Sequence, residues 1–233
     1  MASGFTGFRQ EALDFLISLG LNNDRAWFQP RKGEYETLLK EPLEAFCVAL
    51  GEEFAKRGIP MRADERSPFR IYRDVRFSKD KSPYKTNLGA SFPWTGAGGG
   101  VGGYLHLSPG ESFTGGGMYR PSPARLAAWR NAVVNDRPGV HAALKDPAFV
   151  KAYGEVNAES ALKRAPAGFD PADPDIELLK LKDVVFGHPL RDAEVLERDL
   201  PQRIAADLAA SLPVMRYLAA LPGLEDGPPG WLR

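Results

Sequence analysis

The chain has 233 residues, of which 43% are hydrophobic and 26% charged, and its 30 Lys and Arg balance 30 Asp and Glu. That is the composition of a soluble globular protein long enough to bury a substantial core. Zero net charge argues against broad electrostatic binding to nucleic acid, which needs a basic face.

Helical patterning dominates residues 1–60. Thr6 is placed to cap a first helix, with Phe8, Ala12, Phe15, Leu16 and Leu19 at helical spacing and Gly20 as its stop. No basic stretch followed by an apolar run opens the chain, so no signal peptide is expected. Asn23 or Asp24 can cap a short second helix holding Trp27 and Phe28. Tyr35, Leu38 and Leu39 continue the pattern. Pro42 then starts a helix whose stripe is Leu43, Phe46, Cys47, Leu50 and Phe54, closed by Gly58. Cys47 is the lone cysteine, so no internal disulfide can form and a reducing cytoplasm is the expected compartment. Its apolar neighbours mark it as a small buried hydrophobe rather than a nucleophile.

Residues 70–85 carry six Lys or Arg against two Asp, with Tyr72, Phe77 and Tyr84 interleaved. Read as a strand, 70–77 would place Arg70, Tyr72, Asp74 and Arg76 on one face. Read as a helical turn begun at Ser67-Pro68, it would align Arg70, Arg73, Asp74 and Phe77. Ser82-Pro83 breaks regular structure either way, which makes 79–85 a loop.

The spacing Arg70-x-x-Arg73-Asp74-x-Arg76-Phe77-x-x-x-Lys81-x-x-Tyr84 resembles the signature of a bacterial family known as domain of unknown function 2461. The resemblance extends to Gly7-Phe8 with Phe15-Leu16, to Asn22-Asn23 followed by Trp27-Phe28, and to Gly115-Gly116-Gly117-Met118-Tyr119. It implies one domain of about this length and marks the motif as a shared feature. It assigns no activity and no roles.

Residues 86–110 hold no Lys, Arg, Asp or Glu, but their eight glycines and two prolines exclude a transmembrane helix. A strand is predicted over 87–94, a flexible connection over 96–103, a strand over 104–107, a turn at Pro109-Gly110 and a strand over 111–119. Gly98-x-Gly100-x-x-Gly103 matches a dinucleotide fingerprint in form only, because a strand follows it where a helix is needed. Ser122-Pro123 opens a helix with Leu126, Trp129, Arg130 and Val133. Short helices follow over 136–153 and from Asp173-Pro174 to Lys180, then a strand at 184–186. A helix over 199–220 breaks near Pro213. The whole reads as a single α+β domain over 1–233, with a mostly antiparallel sheet packed by N-terminal and C-terminal helices. Its parts are helical 1–60, motif and sheet 65–120, mainly helical 122–221 and a tail at 222–233.

His106, His141 and His188 lack metal-ligand spacing, so neither a metal nor a cofactor is expected. The Gly115–Gly117 run inside a strand marks a bulge, or a place where a ligand or another backbone comes close. Guanidinium forks bind phosphate or carboxylate. The candidate ligand-binding set is therefore Arg70, Arg73, Asp74, Arg76, Lys81, Tyr84 and Lys85, with an anionic small molecule as partner. His106 and Glu111 are candidates for acid–base work. The alternative is a non-catalytic scaffold or interaction domain whose motif is an internal salt-bridge network. Single-stranded nucleic acid stacked on Tyr72, Phe77, Tyr84 and Trp94 fits the neutral charge poorly.

Overall fold

The computed structural model describes residues 4–223. The predicted tail at 222–233 therefore lies outside the described residues except for its first two positions. Helix α1 (Gln10–Leu21) buries Ala12, Phe15, Leu16 and Leu19 of the predicted stripe and Leu13 besides, while Phe8 is buried just before the helix. Its ends differ from expectation. Arg9 holds the N-cap position without a side-chain bond, Gly20 lies inside the helix, and Asn22 closes it. In α2 (Arg25–Phe28) the Asp24 carboxylate accepts the Trp27 N–H at 2.8 Å. Helix α3 (Lys32–Tyr35) and a wide turn over Glu36–Lys40 lead into α4 (Glu41–Arg57). Pro42 sits in the first turn of α4, where its missing N–H costs nothing. Gly58, at φ 63°, closes the helix in the left-handed region that glycine tolerates.

The sheet comprises β1 (Leu88–Pro93), β2 (Gly102–Leu107), β3 (Phe113–Met118) and β4 (Val184–Pro189), antiparallel throughout in the order β1-β2-β3-β4. This is an α+β fold. Register pairs Leu88 with Leu107, Phe92 with Gly103, Gly116 with Phe186 and Met118 with Val184. These residues share the inner face with Ala90 and Leu105, both fully buried.

Helices α5 (Pro123–Asn135), α6 (Arg137–Leu144) and α7 (Pro147–Tyr153) follow β3, and α8 (Ile176–Lys180) precedes β4. Ser122, Asp136 and Asp146 cap the first three by accepting backbone N–H bonds. After β4 come α9 (Asp192–Val195), which the sequence does not signal, then α10 (Leu200–Ala210) and α11 (Leu212–Ala220). The break between the last two falls at Ser211, just before Pro213. Phe54 of α4 packs edge-on against Phe92 of β1. Leu208 of α10 stands over Gly103, so close that a side chain there would press on it. N-terminal and C-terminal helices thus cover the same face of the sheet. No helix among the described residues is long and apolar enough to cross a membrane.

The predicted flexible connection is in fact anchored. Arg125 of α5 is buried and donates to the carbonyls of Gly99, Leu218 and Leu221. Gly99 N–H also reaches the Ala219 carbonyl. One guanidinium therefore ties the loop before β2 to the carbonyls at the end of α11, where a positive charge suits the helix dipole.

Candidate functional site

The cationic motif is neither a strand nor a helical turn along its length. Residues 71–73 and 83–85 run side by side. Tyr72 pairs with Tyr84, Arg73 N–H donates to the Pro83 carbonyl at 2.9 Å, and Lys85 N–H donates to the Ile71 carbonyl at 2.8 Å. Residues 74–82 form the loop between them. Within it the Arg76 guanidinium forks onto the Asp74 carboxylate at 2.7–3.2 Å. Arg73 binds Asp80 and the Ser82 carbonyl, and Lys81 donates to the Val75 carbonyl at 2.9 Å. The Arg76 bonds hold Asp74 at a pKa of about 2. Bonds from Ser82, then from Arg73, hold Asp80 equally low, at about 2.

The structure thus brings Arg73, Asp74, Arg76 and Lys81 together on one another and on their own loop. Tyr84 lies elsewhere. It is 1% exposed, stacked on Phe28 at 4.1 Å, and its backbone is held at both N–H and carbonyl by the Asn23 side chain. Phe77 projects from the loop, 96% exposed.

Arg70 and Lys85 are placed differently. Among the described residues neither is paired with a carboxylate, while Arg73 and Arg76 both are. The Lys85 ammonium sits 5.2 Å from the centre of the Phe69 ring. Partial burial, and then the Arg70 charge, lower its pKa from the ordinary 10.5.

Phe69 opens onto the outer face of the sheet, the face turned away from the helices. Alternation puts Tyr104, His106, Phe113, Gly115, Gly117 and Gly187 on that face. A groove of about 740 Å³ runs over it. Gly102, Gly115, Gly117 and Gly187 leave backbone bare along its floor, with Val185 beside Gly117. At Gly115 a side chain would collide with the Phe186 carbonyl, and Gly117, at φ 123°, would drive one into the Val184 carbonyl. Aromatic walls rise around this floor. Tyr104 lies 6.1 Å from Phe69 and 5.6 Å from Phe113, ring centre to ring centre. Burial, then the Tyr119 phenol, push the Tyr104 hydroxyl above its ordinary pKa. Glu111 and Glu159 also line the groove.

His106 stacks on Phe113 at 4.9 Å. The Asn87 amide faces its Nδ1 at 3.4 Å, and Tyr104 Oη lies 3.2 Å from the same atom. A donating Asn87 leaves the ring proton on Nε2. Burial lowers the His106 pKa against an opposing pull from Glu111, so the ring is neutral near pH 7. Behind Tyr119, Arg120 takes φ 47°, an unusual conformation for a residue with a side chain. Its N–H is held by Asp183 at 2.6 Å, and its guanidinium covers the Tyr119 ring at 5.2 Å.

Residues 11–217 match the family described as Conserved hypothetical protein (DUF2461). The chain belongs to this family. No curated protein and no solved structure matches it. The family is the one that the sequence resembles, and membership leaves function to the geometry. Among the described residues no three His, Cys, Asp or Glu cluster as a metal site. Sequence reasoning missed Phe69, Tyr104, Phe113 and Tyr119 as groove residues, and Arg120 as the cover of Tyr119. The glycine run was the signal available for the groove. The aromatic walls converge only through strand register, and nothing local in the sequence marks Arg120.

Proposed function

We propose that the protein binds a small molecule bearing a phosphate or carboxylate in the groove on the outer face of the sheet, with Lys85 and Arg70 meeting the anion. The observation that carries this reading is Lys85. Its ammonium is partly desolvated, is repelled by Arg70 and is paired with no carboxylate among the described residues. An ammonium so placed is stabilised by an incoming anion. Phe69 links it to the groove. Glu111 and Glu159 would repel an anion from their parts of the groove, which favours the Phe69 side. The rest of the motif serves as a clamp: Arg73 with Asp80 and Arg76 with Asp74 hold the loop that follows Arg70. The reading takes the chain as one domain, supported by a hydrophobic cluster that includes residues from Phe8 to Leu221.

The alternative, that the whole motif is a structural network in a non-catalytic scaffold, is favoured by those same pairs. A thermal-shift screen with phosphate, sulfate, sugar phosphates and dicarboxylates separates the two. An anion at a hundredfold excess over its dissociation constant adds about 2.7 kcal/mol of stability. The site reading expects such a shift in the native protein, weakened by salt and lost in Lys85→Met and Arg70→Met, while both variants fold. No shift in the native protein, with loss of folding in those variants, assigns the motif to structure alone.

A further inference from the structure

Resting on the anion-binding reading of this groove, we infer that the ligand carries a flat fused-ring group that lies face-down on the bare backbone of β2–β4. Four observations converge. First, glycines stand next to one another across neighbouring strands of the outer face: Gly102 pairs with Gly117, and Gly115 pairs with Gly187. With strands about 4.8 Å apart and same-face residues about 6.8 Å apart along a strand, this floor accommodates two fused rings.

Second, the backbone constrains the floor glycines unequally. Gly115 and Gly117 are required by collisions with β4. Gly187 is exposed and keeps out of the positive-φ region, and an added methyl would meet the Thr114 carbonyl at 3.0 Å, a tight contact that a shift of a few tenths of an ångström relieves, where Gly115 and Gly117 would collide outright. A strand interior ordinarily prefers a side chain there. Its absence keeps the floor open to close approach.

Third, the walls suit a ring. Tyr104 and Phe113 stand 5.6 Å apart at an interplanar angle of 54°, so two aromatic rings of different tilt border the floor and offer a flat group aromatic contacts. Phe113 is backed by His106, stacked at 16°, which fixes its orientation. Fourth, Tyr119 faces the same groove under a guanidinium lid, with the strained Arg120 backbone pinned by Asp183. Held strain beside a groove is characteristic of ligand clamps. A saturated ring of the same size is thicker and puckered, and would lose contact with the floor.

The test uses three probes on the full chain: naphthalene-2-carboxylate, its saturated decahydro counterpart, and uncharged naphthalene-2-carboxamide. Titration calorimetry should show the flat acid binding at least tenfold more tightly than the saturated acid. Gly187→Ala should erase that preference while leaving the response to inorganic phosphate in place. Phe113→Ala, at a partly exposed strand position, should weaken both naphthalene probes and serves if Gly187→Ala fails to fold. Equal binding of the flat and saturated acids, a preference untouched by both variants, or no binding of either naphthalene probe overturns the inference. If the carboxamide binds as tightly as the acid and Lys85→Met has no effect, the anion reading falls. The ring reading then stands, provided the flat-over-saturated preference is lost in Gly187→Ala.

Discussion

Lys85 shows how one residue can stay ambiguous in sequence and become specific in place. In the sequence it is one of six cations in a run, and nothing sets it apart from Lys79 or Lys81. In the structure Lys81 ends on the Val75 carbonyl, whereas Lys85 lies half-buried against Phe69. Its lowered pKa has a definite sign. Folding disfavours the charged amine, so that cost is present below the folded pKa and disappears as pH rises towards the ordinary value. A bound anion favours the charged amine. Anion affinity should therefore be highest below the folded pKa and decline as pH passes through it, at a lower pH than an exposed lysine would give. In Lys85→Met the decline should vanish. Affinity measured against pH in both proteins checks this, and an identical decline in the variant would place the titrating group elsewhere.

At the scale of elements, the helices were readable because burial in a helix imposes a period that survives in sequence. All five predicted stripe residues of α4 are buried. Phe46 is 0% exposed, so Phe46→Ala should cost about 3–5 kcal/mol in equilibrium unfolding. The start of α1 was misplaced because the N-cap at Arg9 uses no side chain and leaves no mark at Thr6. The motif loop was harder to read. Its paired stems are set by Pro83, Asn23 and the buried Tyr84, not by an alternation within the motif. Its clamp has its own pH signature. Asp74 and Asp80 are depressed from 3.8 to about 2, so their contribution is full above pH 3.8 and lost as pH falls towards 2. Hydrogen exchange at the Arg76 and Ser82 amides, which bond to these carboxylates, should speed up relative to intrinsic rates across that window. Asp80→Asn should reproduce the effect for Ser82 at neutral pH.

At the scale of the whole molecule, helices from both ends of the chain cover one face of the sheet and, among the described residues, leave the other to the groove. The sequence already carried the antiparallel strands, through alternation and turn chemistry, and it carried the glycine run. The site itself is a product of register. Gly102 with Gly117, Tyr104 with Gly115 and His106 with Phe113 become neighbours only when β2 pairs with β3. Gly187 and Phe69 join them from distant parts of the chain. Gly116, in the middle of the run, turns to the inner face, where Phe186 and the Gly102 carbonyl crowd it. The most direct measurement is an amide chemical-shift titration of the full chain with naphthalene-2-carboxylate. The account predicts that the largest changes fall on Gly115, Gly117 and Gly187, with Lys85 following and residues 76–82 little affected. Changes confined to residues 74–82, or none at the groove glycines, would contradict it.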